Sequence, residues 1–266
     1  MAEAVPRAQG EGLITVRQKA GKSVLSDLRM LGCLKVLFSR GGARLDAIVI
    51  NSAGGLTSGD RITVDVGLEP GARASVTTQA AERAYRAADG TARVETRLIV
   101  AEGAEMFWLP QELILFDGAK LERRLTCDLA PGARALLVEP VIFGRALMGE
   151  ALRDIRFVDR IAVDRAGVPL HRDATRLRGD MDDLLARSAV ARGAGAMATL
   201  VYIAPDAAHH HAAIVPDLPA MAGASLLHDD VMVLRMLSPD GFALRQSLLP
   251  VLDRLTDNTL PTSWRL

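Results

Sequence analysis

Aromatic residues are scarce, at 4% of 266 positions, cysteine occurs twice, and neither sign of charge dominates, with Lys plus Arg and Asp plus Glu both at 32. Each scarcity narrows the function. The balanced charge provides no net field to draw nucleic acid or an anionic membrane surface, so neither is expected as a partner. Cys33 and Cys127 lie far apart with no C-x-x-C, which reads as two buried thiols in a reducing compartment rather than a disulfide or a zinc site. No stretch of about 18 apolar residues and no apolar signal-peptide core occur, so the expected location is the cytoplasm. Catalytic signatures are missing as well. There is no G-x-S-x-G elbow, neither cysteine sits in a nucleophile's local context, and covalent catalysis has no sequence support.

What is present is apolar: 49% of residues, with a mean hydropathy of +0.17, rich enough that part of this surface is expected to belong to a partner. The length suits one large domain. Residues 1–12 hold nothing to bury and read as a loose tail, leaving a single domain over 13–266. The chain is organised around Asn51 to Asp60, NSAGGLTSGD, between the apolar run Ala47 to Ile50 and the alternating run Arg61 to Val66. Gly54, Gly55 and Gly59 let this loop turn tightly and admit other backbone. It lacks both the G-x-G-x-x-G that opens a helix and the Gly-Lys-Ser/Thr of a Walker loop, and a strand follows it, so it reads as a structural corner.

Beyond Asp60 a repeat emerges. Leu68-Glu-Pro-Gly-Ala-Arg-Ala74 recurs as Leu129-Ala-Pro-Gly-Ala-Arg-Ala135, with Val100-Ala-Glu-Gly-Ala-Glu105 a weaker copy between them, and Asp89-Gly90 and Asp117-Gly118 fall about midway. Each interval holds two strands and two turns: Arg73 to Gln79, Ala92 to Val100, Ala104 to Phe116, Leu121 to Leu129 and Ala133 to Phe143. A period of about 30 residues without a long helical pattern predicts stacked strand units, because one pair cannot bury its own apolar face. The expected fold is therefore mainly β, a β-helix-like stack of sheets with a few helices in the C-terminal third. Further strands are expected over Leu13 to Ala20, Leu34 to Phe38, Leu152 to Val158, Arg160 to Val163, Val168 to His171, Ala196 to Ala204 and Val231 to Leu237. Asp180 caps a helix over Met181 to Val190, Asp206 and Pro216 start weak helical segments, and Phe242 to Leu255 has helical spacing with a bend at Pro250. The apolar, aromatic terminus from Leu260 to Leu266 suggests docking.

Polar clusters are few. His209-His210-His211 invites a metal reading, but adjacent side chains diverge on a helix or a strand, and an exposed solvated triplet is expected. Among the acids, Asp60 closes the Gly-rich loop, Glu112 follows Leu109-Pro110-Gln111, and Glu150 closes Gly144 to Gly149. Glu139 lies within the apolar run Leu136 to Val138, where a carboxylate is costly unless paired, and Arg145 is its expected partner. Hard oxygen ligands of this kind bind divalent ions weakly and exchange them. An alternative is a carbohydrate-active β-solenoid enzyme with Glu139 and Glu150 as acid and base flanking a cleft. Such a cleft usually has aromatic sugar platforms, and only Trp108, Trp264, Tyr85 and Tyr202 are available.

Taken together, Ile50-Asn-Ser-Ala-Gly-Gly-Leu-Thr-Ser-Gly-Asp60, Thr77-Thr78-Gln79, Tyr85-Arg86, Trp108-Leu-Pro-Gln-Glu112, Phe116, Gly144-Arg145, Gly149-Glu150, Gly223-Ala-Ser225 and Pro261 to Trp264 resemble one family. It is the urease accessory protein family UreD, also called UreH, and the resemblance spans nearly the whole chain. The first motif is similar to N-P-x-G-G-[LIV]-x-x-G-D, with Ser52 in place of proline and Ser58 before Gly59. The closing Pro-Thr-Ser-Trp stands where Pro-Arg-x-Trp is common. The resemblance implies a β-helix-like stack with two helices and a non-catalytic assembly factor. It implies partners in UreF, the GTPase UreG and apo-urease, and a part in delivering nickel to the urease active site. No tightly bound cofactor is implied, only transient Ni2+. Asp60, Glu139 and Glu150 carry over as candidate contacts along a nickel path. Gly54, Gly55, Gly59, Thr78, Gln79, Tyr85, Pro110, Gln111, Glu112, Gly144, Arg145 and Gly149 carry over as motif positions, and Trp264 as a partner-docking residue.

Overall fold

The computed structural model describes residues 6–39, 42–145 and 148–265. Two antiparallel hairpins open the chain, β1 (Gln9–Lys19) with β2 (Lys22–Gly32) and β3 (Leu34–Phe38) with β4 (Leu45–Asn51). The chain then alternates between two layers through β5 (Arg61–Leu68), β6 (Arg73–Thr78), the short β7 (Glu82–Ala84), β8 (Ala92–Val100), β9 (Glu105–Leu109), the short β10 (Leu113–Leu115), β11 (Lys120–Leu129) and β12 (Arg134–Phe143). It continues as β13 (Ile155–Arg165), β14 (Val168–Gly179), α1 (Met181–Ala186), β15 (Ala196–Ile203), α2 (Ala207–Ile214), β16 (Ala222–His228), β17 (Val231–Ser238) and α3 (Gly241–Leu255).

The period seen in the sequence is the register of the sheets. Arg61 stands beside Arg93 and Arg73 beside Glu105, each 32 residues on, while Glu105 stands beside Arg134, 29 residues on. These pairings are parallel, so each copy of the repeat adds one coil to the stack. Gly71, Gly103 and Gly132 turn the coils at φ of 69°, 65° and 71°, a left-handed backbone that a side chain would strain. The result is a seven-stranded sheet, ordered β14-β13-β11-β8-β5-β1-β2, and a ten-stranded one, β16-β17-β15-β12-β9-β6-β4-β3 with β7 and β10 beside it.

One core fills the space between the sheets. The outer face of the seven-stranded sheet meets solvent, and β8 accordingly alternates buried and exposed positions. The ten-stranded sheet is covered on both faces, so β15 reads Ala-Met-Ala-Thr-Leu-Val-Tyr-Ile and is buried throughout. Its second face carries α3 through Leu244, Leu248, Val251, Leu252 and Leu255.

The mainly β stack with C-terminal helices is as expected, and its boundaries differ in instructive ways. The presumed tail already enters the sheet at Gln9, because β1 lies parallel to β5 and pairs Gln9 with Arg61. The expected strand from Ala104 to Phe116 breaks at Pro110, which has no N–H for the ladder. Two expected strands after Leu152 are the single β13. α1 stops at Ala186, short of Val190, with Asp180 capping it through the Asp183 N–H. The Pro216 segment is only a 3-10 turn, Val215–Asp217, and α3 continues through Pro250. Cys127 is buried and Cys33 half-buried, both free thiols. Among the described residues no helix is long and apolar enough to cross a membrane.

Candidate functional site

The Gly-rich corner is built from its own side chains. Where β4 ends, the Asn51 amide donates to the Gly55 carbonyl (3.3 Å) and to Glu82 (3.1 Å), and its oxygen accepts from the Ala53 N–H (3.0 Å). Asp60 is 3% exposed, and its two oxygens accept from the backbone N–H groups of Ala8 and Thr57, each at 2.8 Å. That carboxylate ties Ala8, just ahead of β1, to the loop. Leu56 and Arg83 then exchange the loop onto the next coil, with the Leu56 N–H donating to the Arg83 carbonyl at 2.7 Å. Gly55 sits at φ 148°, where an added Cβ would lie 2.4 Å from the Tyr85 ring and 2.8 Å from the Arg83 carbonyl oxygen. Gly55→Ala is therefore expected to cost roughly 1–3 kcal/mol, as overpacking does, read as a lower denaturant midpoint with an unchanged slope.

Behind this corner, between the two sheets, lies a cavity of about 230 Å³. Asn51, Thr78, Glu82, Gln111, Arg123 and Glu139 supply much of its polar lining, among apolar side chains. Its wall holds a buried triad. The Arg123 guanidinium, pointing inward from β11, meets Glu139 at 2.5 Å and grips Asp159 with two bonds of 3.0 and 2.6 Å. Trp108 donates its indole N–H to the other oxygen of Glu139 at 2.9 Å. Two acids thus share one cation. Burial pushes the Glu139 carboxyl up to about 7, against the opposing pull of Arg123 and the Trp108 bond. Burial works against the Arg123 charge too, but Asp159 and Glu139 outweigh it and hold the guanidinium above its usual range. Glu82, at the loop side, is also raised by burial, with the Asn51 bond opposing.

A second cluster forms the rim. The Gln111 N–H donates to the Thr78 hydroxyl at 2.9 Å, which joins the Thr78-Gln79 and Pro110-Gln111-Glu112 motifs. Arg245 of α3 donates to both oxygens of Glu112 (3.0 and 2.8 Å), to the Gln111 side-chain oxygen and to the Trp264 carbonyl. Trp264 donates its indole N–H to the Leu109 carbonyl at 2.9 Å. It is 1% exposed, so its side chain packs within the protein and is not presented to a partner, contrary to the sequence expectation.

The expected partnership of Glu139 with Arg145 is also replaced. Position 139 faces the inward side of β11, whereas Arg145 brackets Glu150 (3.0 Å) beyond the end of β12. Glu150 further accepts from the Asp117 and Arg145 N–H groups, and although its burial opposes ionisation, the Arg145 bond and these two hold its carboxyl below the usual range. Gly144 turns this segment at φ 70° and Gly149 at 69°. Tyr85 packs on Phe116 with ring centres 5.0 Å apart and planes tilted by 35°, and the Arg145 guanidinium lies over the Phe116 ring, 4.4 Å from its centre. Of the three expected path acids, Glu139 lines the cavity, while Asp60 braces the loop and Glu150 its own turn. Glu139 and Glu150 do not flank a common cleft, which removes the basis for a two-acid glycosidase.

The histidines diverge along α2. His209 is exposed, but His210 is not the solvated residue expected: it lies edge-on to Tyr202, 3.7 Å from Asp206, and burial lowers its pKa. Among the described residues no three His, Cys, Asp or Glu side chains converge as a metal site. Arg123 and Asp159 were missed in the sequence, though the alternation Leu121, Arg123, Leu125 and Phe157, Asp159, Ile161 places both inward.

These placements follow the relationship of the chain to known proteins. It is 50% identical to the urease accessory protein UreD of Ruegeria pomeroyi, over 92% of this chain and 96% of that one. It is 46% identical to UreD of Roseobacter denitrificans, over 98% and 96%, and 40% identical to UreD 1 of Brucella melitensis, over 98% and 95%. Residues 8–265 match the family described as UreD urease accessory protein, and the chain belongs to that family.

Proposed function

We propose that this chain is a non-catalytic chaperone of urease maturation in the cytoplasm, binding apo-urease together with UreF and the GTPase UreG and giving nickel a path through its interior. The cavity behind the Gly-rich corner, with Glu139 on its wall, is the observation that carries the reading. An ion in transit needs oxygen ligands that do not enclose it, since dispersed acids release a divalent ion where a converged set retains it. Of the three expected path acids Glu139 meets this description, with Glu82 in the lining of the same cavity. Asp60 serves the path by holding the loop that bounds it through Asn51, Gly54 and Leu56.

Glu139→Gln tests this, because the amide keeps shape and hydrogen-bonding capacity while deleting the charge. Urease activation in cells producing the variant is expected to fall on the order of tenfold, as about 1.4 kcal/mol in the limiting step would give. Copurification with UreF and apo-urease is expected to persist. Activation at the level of the unaltered chain would refute the path through Glu139, and loss of copurification would assign the residue to folding instead.

A further inference from the structure

The uncovered face of the seven-stranded sheet is not uniform. On β5 and β8 opposite charges offset like ones: Asp65 stands in register with Arg97, and although Arg61 stands beside Arg93, Arg93 reaches Glu122 of β11 at 3.5 Å. That is how a solvated sheet face is normally kept neutral. Toward the other end the pattern changes. Lys120 of β11, Arg156 of β13 and Arg178 of β14 stand in one row across three strands. Four residues along, Arg124 stands beside Arg160, and Arg176 of β14 lies between the two rows.

Strands are about 4.8 Å apart and alternate residues about 6.8 Å along them, so these six cations share one compact patch. Like charges directly opposite each other destabilise a sheet. Among the described residues none of the six makes an ion pair, whereas nearby Arg172 holds Asp164 at 2.5 Å. Three of the surrounding acids are engaged elsewhere: Glu122 with Arg93, Asp180 with Arg153 and Asp117 with Arg86. Arg124 alone has an acid in register on its far side, Glu95. Beside the patch, and sharing Arg124 with it, runs a polar groove of about 380 Å³ whose walls carry Asp65, Glu95, Asp128 and Asp164 together with Arg97, Arg124 and Arg172.

We infer that this end of the sheet is a docking surface for an acidic segment of a partner protein. Complementarity of charge identifies the occupant. Forked guanidinium groups match carboxylates bidentately, and a chain without net charge that spends unopposed cations on one face concentrates them for a local anionic patch. The zero net charge of the chain offers nucleic acid no wide basic field, which favours a short acidic peptide on this local patch. The inference is separate from the interior nickel path and stands if that path fails.

A fluorescein-labelled peptide of ten glutamates, titrated into the full chain and followed by anisotropy, tests it. Binding is expected at low ionic strength, weakening as salt screens the patch. Arg156→Gln with Arg178→Gln should weaken it about tenfold, equivalent to ~1.4 kcal/mol. Because these changes remove a like-charge pair, the variant's Tm should be no lower than that of the unaltered chain. Arg17→Gln with Arg61→Gln, the same change of charge at the other end of the sheet, should leave affinity as it was. Absence of peptide binding, equal weakening by both pairs, or tighter binding of a ten-nucleotide oligo-dT would each overturn the proposal.

Discussion

Replacing Arg123 with methionine is expected to destabilise the protein by about 3–5 kcal/mol, the cost of breaking a buried ion pair by removing one partner. The side chain is 9% exposed and the Glu139 and Asp159 residues it holds are 4% and 8% exposed, so neither acid can turn to water when the guanidinium is lost. Methionine keeps much of the volume and removes the charge and all three donor contacts. The loss should depend on pH. Glu139 in the native protein titrates near 7 against an ordinary 4.5, so between those values the folded state holds a proton that the unfolded chain has given up. Stability from this group therefore falls as pH rises through that window, because the unfolded state binds fewer protons. Without Arg123 only the Trp108 bond opposes the burial penalty, the window moves further up, and the variant should be closest to the parent near pH 5 and worst near pH 8. Urea unfolding of both chains at the two pH values measures this. An equal loss at both would show that the two acids are not sharing the arginine as an ion pair.

The same triad shows what the sequence could and could not disclose. The stack was legible because its period rests on a backbone requirement: the turns at Gly71, Gly103 and Gly132 need positive φ, and their spacing of 32 and 29 residues reappears as strand register. β2 and β16 gave no such signal, since both lie at sheet edges, are largely exposed, and have no clean alternation to report. Glu139 stood out as a carboxylate in an apolar run, but its partner did not. Arg145 is near in sequence, whereas Arg123 is near in space because β11 faces β12 across the core, a relation that only the assembled layers create. The arginine between Leu121 and Leu125 belongs to no motif, and only strand alternation places it inside. Asp60 and Glu150 illustrate the opposite limit. A motif acid looks the same in sequence whether or not it ties down backbone N–H groups, and only the structure shows the bonds to Ala8, Thr57 and Asp117 at these two positions.

The other large effect is expected at the far end of the chain. Trp264→Ala should cost about 3–5 kcal/mol, the range for emptying a buried aromatic site. The indole fills the space between α3 and the ten-stranded sheet, and it gives its N–H to Leu109, directly before the Pro110 break. Arg245 lies over the ring, 5.1 Å from its centre, and binds the Trp264 carbonyl while gripping Glu112 and Gln111 at the cavity rim. Loss of the ring therefore loosens a rim residue as well as the terminus. Trp264→Phe separates these contributions: it restores most of the packing but not the bond to Leu109, and should recover more than half of the stability. If the rim depends on this bracket, Trp264→Phe will still expose the Gln111 amide to faster hydrogen exchange than in the parent, because the strand end at Leu109 is no longer tied. If exchange at Gln111 and Glu112 stays slow in both variants, the Thr78 bond and Glu112 hold the rim by themselves and the C-terminal turn is only a packing element.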